Sequence, residues 1–219
     1  MSSELNAGKP QQASGQGAAA KANAPAPTLV FTREGYGVPL RNIYRGGTAS
    51  LLCGGPSLTS HDLRRLDQPG VLTCAVNNAA TVFRPRLWVS VDDPTHFCDV
   101  IWRDPGVMKF VPVRQLGKHF AVRGEHDWLV PSQEVVGDMP NVFCFRQNQT
   151  FVANRWLYED TINWGNHSKR ADAQGHIGSR SVMYAALRLL FHLGVRRLYL
   201  LGCDFRMQVD KANYAFPQH

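Results

Sequence analysis

Six short runs of largely apolar residues, at positions 49–53, 71–76, 87–91, 107–113, 142–145 and 197–201, constrain this chain more than any other feature. They are too short for core helices and show no strict alternation, which suits parallel strands covered on both faces. Four of them run into glycine or polar clusters. The first ends in Gly54-Gly55-Pro56-Ser57, the second in Asn77-Asn78, the third in Asp92-Asp93-Pro94 and the last in Gly202-Cys203-Asp204-Phe205. Residues 59–66 and 95–102 read as connecting helices. For the first of these, Thr59 is a candidate N-cap, with Asp62 three residues on and Leu58 and Leu63 as a hydrophobic staple. Residues 181–193 are apolar almost all round, as a buried helix must be, and Gly194 suits its C-terminal cap. The expectation is an α/β protein with a mostly parallel sheet and helices on both faces. From 114 to 177 the pattern weakens, apart from 142–145.

With 44% hydrophobic residues in 219, the chain can bury one substantial core. Residues 1–27 are Ala, Gly, Gln, Ser, Pro and Lys with almost no large apolar side chain, so ordering them costs entropy that little burial offsets. The expected organisation is therefore a disordered leader, 1–27, and one domain, 28–219. The formal charge of +7 is spread along the chain. It suits anionic ligands without choosing between a nucleotide, a nucleic acid and an acidic glycan. Five cysteines, Cys53, Cys74, Cys98, Cys144 and Cys203, form no C-x-x-C pair and mostly lie in apolar runs. They read as reduced core thiols of a cytoplasmic protein. No secretory signal order and no run of about 18 apolar residues is present, so no membrane span is expected.

The turn Gly54-Gly55-Pro56-Ser57 lies between a strand and an expected helix. Two glycines there permit positive φ and close approach of a ligand, and a helix start offers free N–H groups to phosphate. A tight connection without ligand is the other reading, because neither a complete G-x-G-x-x-G nor a P-loop is present. Asn77 and Asn78 can read a base or ribose, or simply form a turn. Asp92 and Asp93 can hold Mg²⁺ against a diphosphate; alternatively Asp93 caps the next helix and Asp92 pairs with an arginine. Trp156, Tyr158, Trp164 and His167, among neighbouring polar residues, suit an acceptor site for a sugar, or a loop packing its tryptophans on the core. The eight histidines show no zinc spacing, and His192 reads as a packed core residue.

The stretches Cys53-Gly54-Gly55-Pro56-Ser57-Leu58, Tyr199-Leu200-Leu201-Gly202-Cys203-Asp204-Phe205 and Tyr214-Ala215-Phe216 resemble those of bacterial lipooligosaccharide sialyltransferases. They also resemble the wider superfamily of motility accessory factors and hydroxymethylpterin diphosphokinase-like proteins. The resemblance covers about 49–91 and 178–216. It implies a Rossmann-like domain. In the sialyltransferases it further implies a CMP-sialic acid donor held at Gly54, Gly55, Ser57, Asn77 or Asn78, and Ser179 or Ser181. Tyr214 then falls near the donor phosphate. Arg206 stands where the family has a second tyrosine and can neutralise phosphate. The family's catalytic histidine lies beyond Tyr-Ala-Phe, whereas the sequence given ends at His219, so a C-terminally truncated domain is one expectation and altered chemistry another.

The resemblance thus implies a glycosyltransferase that binds a nucleotide-sugar, with a CMP-sugar favoured. Tyr214 and Arg206 are its candidate catalytic residues, Asp204 adds to the donor site, and a glycan or other small acceptor is its partner. The alternatives are a diphosphokinase-like enzyme using ATP and Mg²⁺ through Asp92, Asp93 or Asp204, and a non-catalytic binding module of the same fold. Nucleic acid is a less favoured partner for that module.

Overall fold

The computed structural model describes residues 28–97, 99–124, 128–148, 156–163, 181–204 and 213–215. The leader at 1–27, Cys98, Trp164, His167, His176, Ser179 and Arg206 lie outside the described residues.

Each apolar run forms a strand; 142–145 and 197–201 keep their ends, and the other four move by one or two residues. They are β1 (Thr48–Leu52), β2 (Leu72–Val76), β3 (Leu87–Val89) and β4 (Met108–Pro112). An antiparallel hairpin of β5 (His119–Arg123) and β6 (Leu129–Val135) follows, then β7 (Val142–Phe145). The described strands are completed by a two-residue parallel pair, β8 (Gln147–Asn148) and β9 (Ile162–Asn163), and by β10 (Arg197–Leu201). Two α-helices are described, α1 (Asp99–Arg103) and α2 (Val182–His192).

The main sheet has six strands in the order β10-β1-β2-β3-β4-β7, every neighbouring pair parallel. This is the mostly parallel α/β architecture that the runs imply. The steps from β1 through β2, β3 and β4 to β7 all go the same way across the sheet, so right-handed crossovers put their connections on one face. The return from β7 to β10 reverses direction and puts α2 on the other. The core divides accordingly. Leu51, Cys74, Val89 and Phe110 pack with Ala185, Ala186, Leu189 and Leu190 of α2, while Leu52, Ala75, Trp88 and Val111 pack with Leu58, Phe97, Trp102, Phe120 and Val136. In the second layer Trp88 meets Trp102 edge-on with ring centroids 4.9 Å apart. The chain before β1 closes the far edge: Phe31 exchanges backbone hydrogen bonds of 2.8 Å with Cys144 of β7.

The connections correct the expected helices. In place of a helix over 59–66 there are two short 3-10 turns, Pro56–Ser60 and Leu63–Leu66. The reason is local competition. Thr59 Oγ1 donates to the Pro56 carbonyl at 2.9 Å and Ser60 Oγ to the Ser57 carbonyl at 2.7 Å, so side chains take acceptors an α-helix would use, and His61 is already extended. Thr59 is thus no N-cap. The segment 95–102 is likewise split, into a 3-10 turn Pro94–His96 and the five-residue α1. The face opposite α2 is covered by these turns, α1 and the hairpin rather than by full helices.

Two buried polar residues show how the sheet accommodates charge. Lys109 is fully buried in β4, yet its Nζ donates to the carbonyls of Asp104 (2.6 Å), Val107 (3.0 Å) and Pro140 (2.7 Å), which uses all three of its donors. Gln115 is buried after β4 and its Nε2 donates to the carbonyls of Val91 and Asp92, pinning the end of β3. Cys53, Cys74 and Cys144 are buried free thiols and Cys203 is a half-buried one. Among the described residues no helix is long and apolar enough to cross a membrane.

Candidate functional site

Because the six strands are parallel, their carboxyl ends share one edge, where ligands bind in open α/β sheets. The strand order puts the segments after β10, β1, β2 and β3 side by side there.

The Gly54 turn meets the segment after β10 closely. Gly55 N–H donates to the Gly202 carbonyl at 2.8 Å, Cys53 N–H to Leu201 at 2.8 Å, and Ala215 N–H to Gly54 at 2.9 Å. The Asp204 carboxylate accepts from the Ser57 backbone N–H at 2.9 Å and from the Ser57 hydroxyl. These bonds hold the Asp204 carboxyl below the usual carboxylate range. The structure therefore brings together Gly54, Gly55, Ser57, Asp204 and half-buried Tyr214, and the anion on the Ser57 N–H is the protein's own.

The need for glycine at position 55 differs from the expected one. Its φ is −69°, open to any residue, so no left-handed turn is required. A Cβ there would lie 2.4 Å from Asp204 Oδ2 and 2.6 Å from the Gly202 carbonyl. Gly55 is small because the β10 segment crosses it, and a bulky residue there would disturb the fold. The left-handed glycine of this pair of segments is Gly202, with φ 65°.

After β2, Asn77 is left-handed with φ 47°, which asparagine tolerates better than most residues. Its Nδ2 donates to Asp92 Oδ2 at 2.6 Å and its carbonyl accepts from Trp88 Nε1 at 2.8 Å. Its Oδ1 is buried and has no hydrogen-bond partner among the described residues. Asn78 is half-buried and accepts at its carbonyl from Thr81 Oγ1 at 2.7 Å.

After β3 the two aspartates part company. Asp92 takes the Asn77 amide, not an arginine. Asp93 caps the following turn through Thr95 and pairs with Lys118 Nζ at 2.6 Å, contacts that pull its pKa down to about 2, the Lys118 bond most. Among the described residues no group of three or more His, Cys, Asp or Glu could hold a metal ion.

On the other side of the sheet, Ser181 caps α2 by accepting from Met183 N–H at 3.2 Å. Met183 Sδ lies 3.3 Å from Cys203 Sγ, so α2 begins beside the same carboxyl edge. Trp156 packs edge-on against Tyr184 of α2 with centroids 5.6 Å apart, the core-packing alternative for that aromatic stretch. Three buried polar residues with clear structural consequences have no signal in the sequence analysis above: Lys109, Gln115 and Arg188. Arg188 sits within the apolar α2 run, and an arginine there is the one visible irregularity.

The fold and this edge define an α/β protein with a parallel sheet and a polar carboxyl rim. Searches with protein-family models, against curated proteins and against solved structures find no match to the chain.

Proposed function

We propose that the protein is a nucleotide-sugar-binding transferase, a CMP-sugar being favoured, that passes its sugar to a glycan or other small acceptor. The observation that carries this reading is Asn77. Its amide is oriented by Asp92, which leaves a buried Oδ1 lacking a donor, on the sheet edge where nucleotides bind. A small opening of the rim lets that oxygen accept from an amino or hydroxyl group of a base or ribose. Tyr214, beside the Gly54 turn, is the candidate group for the donor phosphate, and Arg206 the candidate counter-charge for the departing nucleotide.

A second reading follows from Asp204. A carboxylate on the Ser57 turn repels a phosphate unless a cation lies between them, which favours a Mg²⁺-dependent diphosphokinase-like enzyme with Asp92 and Asp204 as hard oxygen ligands. Asp93 fits that ion less well, since Lys118 already occupies it.

Thermal melting with CMP, a CMP-sugar, UDP, GDP and ATP, each with and without Mg²⁺, separates the two. A ligand that binds only the folded state stabilises it by about 2.7 kcal/mol at a hundredfold excess over Kd. A Mg²⁺-independent response to CMP supports the transferase, and a Mg²⁺-dependent preference for ATP the diphosphokinase. Unmoved melting curves throughout overturn both and leave the binding-module reading.

A further inference from the structure

At the opposite, amino-terminal edge of the sheet, a pocket of about 110 Å³ lies between the last two turns of α2 and the turn that leads into β1. Arg41, Arg188, His192 and Arg196 line it, with Tyr158 and Phe191 among its walls. Its position follows from the crossover: α2 starts beside Cys203 at the carboxyl edge and ends where Asn42 N–H donates to the His192 carbonyl at 3.0 Å.

Arg188 is the anomaly. It is only 2% exposed, yet among the described residues only Nη2 of its guanidinium finds a partner, the Glu159 carbonyl. Nε and Nη1 are buried with no acceptor among the described residues. A buried guanidinium with two idle nitrogens is costly unless something else pairs with it. Among the described residues no carboxylate forms an ion pair with Arg41, Arg188 or Arg196. The nearby acids do not bond it: Glu159, whose carboxylate accepts from the Asn148 amide at 3.0 Å, and more weakly Asp160 act on Arg188 only through their fields. Arg196 is partly accounted for, since its Nη1 caps the carbonyls of Phe191 (3.0 Å) and Val195 (2.8 Å) while its guanidinium covers the Phe191 ring at 4.3 Å. Helix capping thus explains Arg196 but not Arg188 or Arg41. His192 brings no further charge near neutral pH, because burial and then the two arginines push its pKa down to about 4.

We propose that this pocket binds a small oxyanion, a phosphate or carboxylate group, through Arg188, Arg41 and Arg196. The fork of Arg188 supplies directed donors, and Arg41 and Arg196 add charge at the mouth. The volume accommodates such a group with part of its water shell. The site is separate from the carboxyl rim and does not depend on the transferase reading.

The test titrates inorganic phosphate and, in a second arm, acetate into the full chain at constant ionic strength, reading melting temperature and heat of binding. Saturable binding in at least one arm is expected, and the arm that binds more tightly names the group. Arg41→Gln, at an exposed position, should weaken binding about tenfold, the effect of losing one charge-assisted contact, and Arg188→Met should abolish it. Asn77→Gly should leave it unchanged. Absence of saturable binding in both arms, or binding undiminished in Arg41→Gln, overturns the proposal. The Arg41 variant decides the matter even if Arg188→Met does not fold.

Discussion

The Asp204 carboxylate accepts both the backbone N–H and the hydroxyl of Ser57, residues 147 positions apart in the chain. This pair ties the end of β10 to the turn after β1. Asp204→Ala should cost about 1–3 kcal/mol in urea unfolding, and Ser57→Ala, which keeps the backbone donor, noticeably less. Since the Asp204 pKa is depressed in the fold, the stability it adds is present above the ordinary aspartate pKa and lost as pH falls through the folded value. Asp204→Ala should accordingly flatten the acid limb of the stability profile.

Gly55→Val should destabilise the fold by about 1–3 kcal/mol, because the new Cβ meets the Asp204 carboxylate and the Gly202 carbonyl. Gly55→Ala should already lower the urea midpoint. An alanine variant as stable as wild type would show that the two segments lie further apart.

Asn77→Gly separates fold from ligand. Glycine adopts φ 47° freely, so the cost should stay near the 1 kcal/mol of the lost bond to Asp92, while nucleotide affinity should fall about tenfold or more. Thermal melting with and without the best nucleotide reads both effects on one sample.

His192 predicts an acid sensitivity. Its folded pKa, about 4, lies below the ordinary value of 6.5. Between these values the unfolded chain takes up a proton that the buried ring refuses, so stability present above pH 6.5 is lost as pH falls toward 4. The loss should be on the order of 3 kcal/mol. His192→Gln should remove this segment of the profile, measured as urea midpoints across that range. Arg188→Met should narrow it from the acid side, because relieving repulsion of the imidazolium raises the folded pKa toward the unfolded value.

Lys109→Met should cost on the order of 3 kcal/mol in urea unfolding despite its similar length. Three buried carbonyls, of Asp104, Val107 and Pro140, lose the donor that satisfies them.

What the sequence by itself determined is local. The parallel strands are legible because burial on both faces demands unbroken apolar runs such as 72–76 and 108–112, and α2 is legible because a helix against such a sheet is apolar on most sides, with Ser181 and Gly194 marking its ends. The β5–β6 hairpin was hidden because most of its residues are exposed or half-buried, so β6 carries no apolar run. The 3-10 turns after β1 were hidden because hydroxyl-to-carbonyl bonds decide them, not periodicity. Tertiary structure alone decided which strand ends meet. The placement of β10 beside β1, the pairing of Asp204 with Ser57, and the burial of Arg188 over the turn at Arg41 are contacts between distant segments, fixed by how the two layers close over one sheet and by no pattern within either segment.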